Sequence, residues 1–274
     1  MRPPDKNARF ADDQVGVQPA YAIGSAGTSV PENYDRPVST RSEAIQSPDG
    51  AFDVHVSIPE SGSGPGILLI HEIFGVNEYA KDAARRLSEL GYVVLAPDLY
   101  WRTRPGLSLS HSGDDLQRAF AAVAKLDVVA ATGDCITALA ALRGLPEVAK
   151  ADRRAGVLGF CLGGTLAYQV AVHGEPDVAV CYYGSGIPDA LDDAASISCP
   201  MLMHWGGADP YISRDKVDAV AAMATGYENI ECHVHEGAGH AFDNNFAPQF
   251  HNPVAAATAW EMTSEFLNRT LPPS

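Results

Sequence analysis

No run of about twenty consecutive uncharged apolar residues occurs in the chain, so a membrane-spanning helix is not expected. Basic side chains are scarce as well: 19 Lys and Arg stand against 34 Asp and Glu, for a formal net charge of −15. That balance argues against nucleic acid or an anionic membrane surface as a partner, because both require a basic footprint. The five cysteines are odd in number and lack short paired spacings, which argues against a disulfide framework. Cys135 falls on an apparent helix and Cys181, Cys199 and Cys232 in or beside strands, where reduced, packed thiols are expected. Met1 to Lys6 is not followed by an apolar leader core, and no internal repeat is visible. These absences lead us to expect a soluble, cytoplasmic protein.

What the chain has is apolar material: 46% of its 274 residues are hydrophobic, enough for a large core. Residues 1–41 are rich in Pro, Gly, Ser, Asp and Asn and read as an N-terminal arm, with 42–274 as one domain. Ser42 to Pro59 reads as a hairpin around Ser47-Pro48-Asp49-Gly50. Beyond it, continuous apolar runs at Gly66 to Ile70, Gly91 to Pro97, Arg154 to Phe160, Val178 to Tyr183, Pro200 to Trp205 and Asn229 to His235 read as strands. Helical patterns lie at Asn77 to Leu90, Asp114 to Leu142, Leu162 to His173 and Val254 to Leu267. The alternation implies an α/β fold, a mostly parallel sheet covered by helices on both faces. Ligands bind such sheets at the carboxyl ends of the strands.

One strand end stands out. In Gly159-Phe160-Cys161-Leu162-Gly163-Gly164 a thiol sits between glycines where a buried strand turns into a helix. A nucleophile on such a turn needs small neighbours two residues to either side, the geometry of the α/β-hydrolase nucleophile elbow. The helix that starts beside it aims its positive end at the sulfur. Cys161 alone is equally compatible with a packed structural thiol. Two further strands shift the balance, one ending in Gly206-Gly207-Ala208-Asp209 and the other in Gly237-Ala238-Gly239-His240. Nucleophile, acid and histidine thus follow in α/β-hydrolase order.

Other strand ends carry polar groups with plainer readings. His71-Glu72 suggests the zinc motif His-Glu-x-x-His, which fails because position 75 is Gly. Glu231, His233 and His235 share one strand face; a metal site there lacks a third convergent ligand, and a solvated face is the simpler reading. Asp98 is expected to tie down its loop, and Arg102 and Arg104 are the cations nearest the expected pocket.

These segments, with His71-Glu72-Ile73-Phe74-Gly75, Pro97-Asp98-Leu99-Tyr100-Trp101-Arg102 and Tyr182-Tyr183-Gly184, resemble the dienelactone hydrolase family over about Ser42 to Leu267. The resemblance implies a single-domain α/β hydrolase with a Cys-His-Asp triad. The family's best-known activity opens an unsaturated cyclic ester, dienelactone (carboxymethylenebutenolide), in chloroaromatic breakdown. It further implies that Cys161 is the nucleophile, His240 the base, Asp209 the acid that orients it, and Glu72 a carboxylate that helps to deprotonate the cysteine. Arg102 matches one of two arginines that hold the substrate carboxylate. The second follows the histidine by four positions in the family, where this chain has Asn244.

The expected chemistry is acyl transfer through a thioester, with Leu162 and Ile73 supplying oxyanion N–H groups by analogy. Phe74, Tyr100, Trp101, Tyr183 and Trp205 are candidate pocket walls, and no metal or organic cofactor is required. Asn244 leads us to expect better tolerance of neutral esters, and a gain on dienelactone from Asn244→Arg. Two other readings stay open: a general carboxylesterase or thioesterase on neutral acyl groups, and a redox-sensing thiol protein.

Overall fold

In the computed structural model, residues 38–150 and 152–273 are described. β1 (Ser39–Ser47) and β2 (Gly50–Ile58) form the hairpin, closed by pairing of Ser47 with Gly50. β1 begins three residues earlier than expected, inside the span assigned to the arm, because Arg41 is anchored by an ion pair to Glu147 at 2.8 Å. The rest of that arm, residues 1–37, lies outside the described residues.

The remaining strands are β3 (Gly66–Ile70), β4 (Val93–Pro97), β5 (Ala155–Phe160), β6 (Ala179–Tyr182), β7 (Met201–Gly206) and β8 (Ile230–His235). They form one sheet in the order β1-β2-β4-β3-β5-β6-β7-β8. The β1–β2 and β2–β4 pairs are antiparallel and all others parallel, so β3, β5, β6, β7 and β8 end on one edge. Every residue of β3 to β7 is buried, which explains why these strands read as unbroken apolar runs rather than alternating ones. The protein therefore has the α/β-hydrolase architecture, with its chemistry-bearing loops gathered at one sheet edge.

The helices are α1 (Glu78–Glu89), α2 (Asp115–Val123), α3 (Val128–Gly144), α4 (Pro146–Ala149), α5 (Leu162–His173), α6 (Arg214–Ala224) and α7 (Pro253–Thr270). The helical patterning expected from Asp114 to Leu142 is divided between α2 and α3. Asp127 breaks it by capping α3, its carboxylate accepting from the N–H groups of Val129 and Ala130 at 2.9 and 3.1 Å. That break frees α2 to lie across the site. Among the described residues no helix is long and apolar enough to cross a membrane.

The Glu231–His233–His235 face is not simply solvated. Arg269 of α7 pairs with Glu231, and His235 Nε2 lies 3.1 Å from Nδ1 of the buried His204. His204 in turn meets Thr263 of α7 at 3.0 Å. Among the described residues no group of three or more His, Cys, Asp and Glu side chains is arranged to hold a metal.

Candidate active site

Cys161 follows β5 directly and is the N-cap of α5, with φ 55° and ψ −115°. A side chain in that left-handed region costs about 1–3 kcal/mol, so the surroundings must enforce it. They do so from both sides: Cys161 N–H donates to Tyr182 O at 3.0 Å, and its carbonyl accepts from Thr165 N–H at 3.1 Å. A Cβ on Gly159 would fall 2.0 Å from Gly163 O, and one on Gly163 would fall 2.0 Å from Ile70 O. The glycines are therefore what let strand, elbow and helix close on one another.

The sulfur is met by a relay. His240 Nε2 is 3.1 Å from Cys161 Sγ, and His240 Nδ1 is 2.7 Å from Asp209 Oδ2. Asp209 Oδ1 accepts the N–H groups of Tyr211 and Ile212 at 2.8 and 3.1 Å, so both carboxylate oxygens are engaged. Burial opposes a charge on His240. The Cys161 sulfur, the hydrogen bonds to Asp209 and Cys161, and the Asp209 charge outweigh it and hold the imidazole pKa well above its ordinary value. The other thiols contrast with this setting: burial pushes Cys199 and Cys232 up to about 11 and raises Cys135 and Cys181 as well.

A second cluster shares the cavity. Glu72 Oε2 accepts from His111 Nε2 at 2.8 Å and from Asn244 Nδ2 at 2.9 Å, while Oε1 is buried without a partner. Asn244 Oδ1 takes the Phe246 N–H at 3.0 Å, which turns the amide nitrogen toward Glu72. The loop bearing His111 is seated on Gly75, whose φ is 78° and where a Cβ would come 1.8 Å from Leu107 O. Asn77 caps α1 and also donates to Leu109 O at 2.9 Å, fixing the same loop.

The cavity is bordered by Glu72, Ile73, Phe74, Cys161, Leu162 and His240 among the residues expected from sequence. Leu162 opens α5, so its N–H lies in the first turn, where no intrahelical acceptor exists. Glu72 is present, yet its hydrogen bonds run to His111 and Asn244 instead of the cysteine.

The structure places the other expected pocket residues elsewhere. Arg102 pairs with Asp134 and Asp49, lies 4.1 Å above the Trp101 ring and does not border the cavity. Trp101 donates to the same Asp134 at 2.8 Å. Tyr100 is buried and donates to Ile73 O at 2.9 Å, buttressing the loop behind the cavity. Tyr183 is buried with its ring centroid 5.1 Å from that of His240, and Trp205 is buried within β7. Asn244 is 0% exposed, donates to Glu72 and does not border the cavity. Asp98 ties its loop as expected, accepting from Tyr100 N–H at 2.9 Å and Gly106 N–H at 2.7 Å.

Sequence reasoning missed His111, Leu116, Phe120, Val123, Ser185, Tyr211 and Phe250, all of which border the cavity. For Leu116, Phe120 and Val123 a signal existed in their helical spacing, though not which surface they face. His111 stands in a Ser-rich loop that carries no pattern.

The profile of the dienelactone hydrolase family matches residues 52–271. A carboxymethylenebutenolidase of Pseudomonas sp. (strain P51) is 34% identical over 227 residues, covering 81% of this chain and 92% of the relative. The carboxymethylenebutenolidase of Pseudomonas putida is 33% identical over 231 residues, 83% of this chain and 96% of the relative. A crystal structure of a Klebsiella pneumoniae protein has a TM-score of 0.74 at 23% identity, covering 85% of this chain and 100% of that one, a likeness of fold. With an elbow, relay and sheet of this kind and relatives of this closeness, the chain belongs to the dienelactone hydrolase family.

Proposed function

We propose that this chain hydrolyses an ester or lactone through an acyl-enzyme on Cys161. The reading is carried by one observation: Cys161 Sγ on the strained elbow lies 3.1 Å from His240, whose other nitrogen is held by Asp209. The thiolate is the nucleophilic form of cysteine, and its proton passes to His240, the base in contact with the sulfur.

The sulfur attacks the carbonyl carbon, and the C=O electron pair moves onto oxygen. The N–H groups of Leu162 and Ile73, both in the cavity wall, receive that oxyanion. As the intermediate collapses the C–O bond breaks, and His240 returns its proton to the leaving alkoxide. Water then gives a proton to His240 and attacks the thioester, expelling the Cys161 thiolate and releasing the acid. Asp209 keeps Nδ1 protonated and the ring aimed at the sulfur throughout.

p-Nitrophenyl acetate tests the scheme. A burst of nitrophenolate stoichiometric with enzyme, followed by steady turnover, is the expected result. A stoichiometric release with no turnover would overturn it in favour of a merely modifiable thiol.

A further inference from the structure

The cavity beside Cys161 is small, about 120 Å3 in volume. Part of its wall is one face of α2: Leu116, Phe120 and Val123, spaced by four and three residues, are half-buried and border the cavity. Phe74 and Phe250 complete the apolar surface. Among the described residues no lysine or arginine borders it.

Among the described residues nothing else in the wall offers an unpaired positive charge. His240 has one nitrogen on Asp209 and the other on Cys161, and His111 Nε2 is spent on Glu72. Arg102 is neutralised by Asp134 and Asp49, and Asn244 gives its amide to Glu72. Glu72 itself contributes a carboxylate, 4% exposed, with one oxygen unpartnered. A substrate carboxylate entering here would lose its water, find no unpaired cation among the described residues and face a buried carboxylate, whereas an alkyl chain would exchange water for Phe120 and its neighbours.

We infer that the substrate is an uncharged ester whose alkyl arm lies against α2, and that esters and lactones carrying a carboxylate are poor substrates. The inference rests on the proposed reading in that it places the reacting carbonyl at Cys161. Its test is a pair of esters of equal chain length, p-nitrophenyl hexanoate and mono-p-nitrophenyl adipate, the second ending in a carboxylate.

At neutral pH, kcat/KM for the hexanoate should exceed that for the adipate by at least about thirtyfold. From acetate to hexanoate it should rise by roughly fourfold per methylene until the cavity is filled. Phe120→Ala should flatten that rise, and Leu116→Arg should shrink the hexanoate preference by about tenfold or more. Equal or better turnover of the adipate, or a rise that Phe120→Ala leaves intact, would overturn the inference. Equilibrium binding of the same two esters to Cys161→Ala separates it from the acyl-enzyme reading. Tighter binding of the hexanoate supports the substrate class whether or not Cys161 is the nucleophile, and equal or tighter binding of the adipate contradicts it. Continued hydrolysis by Cys161→Ala would sink the mechanism alone, leaving the selectivity to be read from rates.

Discussion

Two histidine–carboxylate pairs meet the same cavity, through His240 in one and through both members, His111 and Glu72, in the other, and they are built differently. His240 and Asp209 meet at 2.7 Å, His111 and Glu72 at 2.8 Å, so distance does not separate them. Saturation does. Asp209 has its second oxygen filled by two backbone N–H groups, and His240 reaches the sulfur of a strained elbow. Glu72 collects both its bonds on one oxygen and leaves the other bare. The first pair follows the ends of β7 and β8 and is fixed in orientation, as acid–base chemistry demands. The second joins the loop after β3 to two loops from elsewhere in the chain, and it shapes the wall and sets its sign. In the proposed reading, the first pair serves the reaction and the second serves recognition.

The largest effect that would break this division is in the histidines themselves. His240→Ala should lower kcat by about 10³-fold or more, because in the proposed mechanism this group both accepts and returns the proton. His111→Ala should cost no more than about tenfold, the loss of a wall hydrogen bond. Equal losses in kcat would erase the distinction.

Next in size is Asp209→Asn, with an expected loss of about 10²–10⁴ in kcat from a misoriented ring. The same change should lower the His240 titration midpoint, followed by NMR of the ring protons, since Asp209 helps to hold that pKa up. Stability carries the same sign. His240 is raised in the folded protein above an unfolded value of about 6.5, so its contribution is full below that pH and is lost as pH climbs through the folded value. Asp209→Asn should shrink this pH-dependent part, and an unchanged profile in thermal melts would contradict the assignment.

Smaller effects sharpen the recognition side. Asn244→Arg should lower stability by about 1–3 kcal/mol through overpacking of a site with no exposure, and it should bring no gain on carboxylate substrates. That reverses the expectation drawn from sequence, where position 244 stood for a missing substrate clamp. His111→Gln, which keeps a donor toward Glu72, should recover most of what His111→Ala loses. Failure of that rescue would mean that His111 acts through its proton rather than through position.

The contrast also explains what was legible in the sequence. Cys161, Asp209 and His240 could be read because local constraints mark them: glycines that permit the elbow, and loops that follow apolar strands in a fixed order. The hairpin, the parallel sheet and α5 were legible for the same reason, being written in patterns a few residues long. Arg102 was misplaced because its fate depends on Asp134, 32 residues away on α3. Asn244 was misread because nothing near it in sequence announces Glu72, 172 residues distant. His111 had no local signature at all. Pairings across the fold decide which polar groups reach a substrate, and composition and periodicity are blind to them.

The central claim is a covalent acyl group on Cys161, and mass mapping of enzyme quenched in acid during p-nitrophenyl acetate turnover tests it most directly. The account predicts one acetyl group per chain, located on the peptide that contains Cys161 and absent from Cys161→Ala. Turnover with no acylated peptide, or with the acetyl group on another residue, would contradict it.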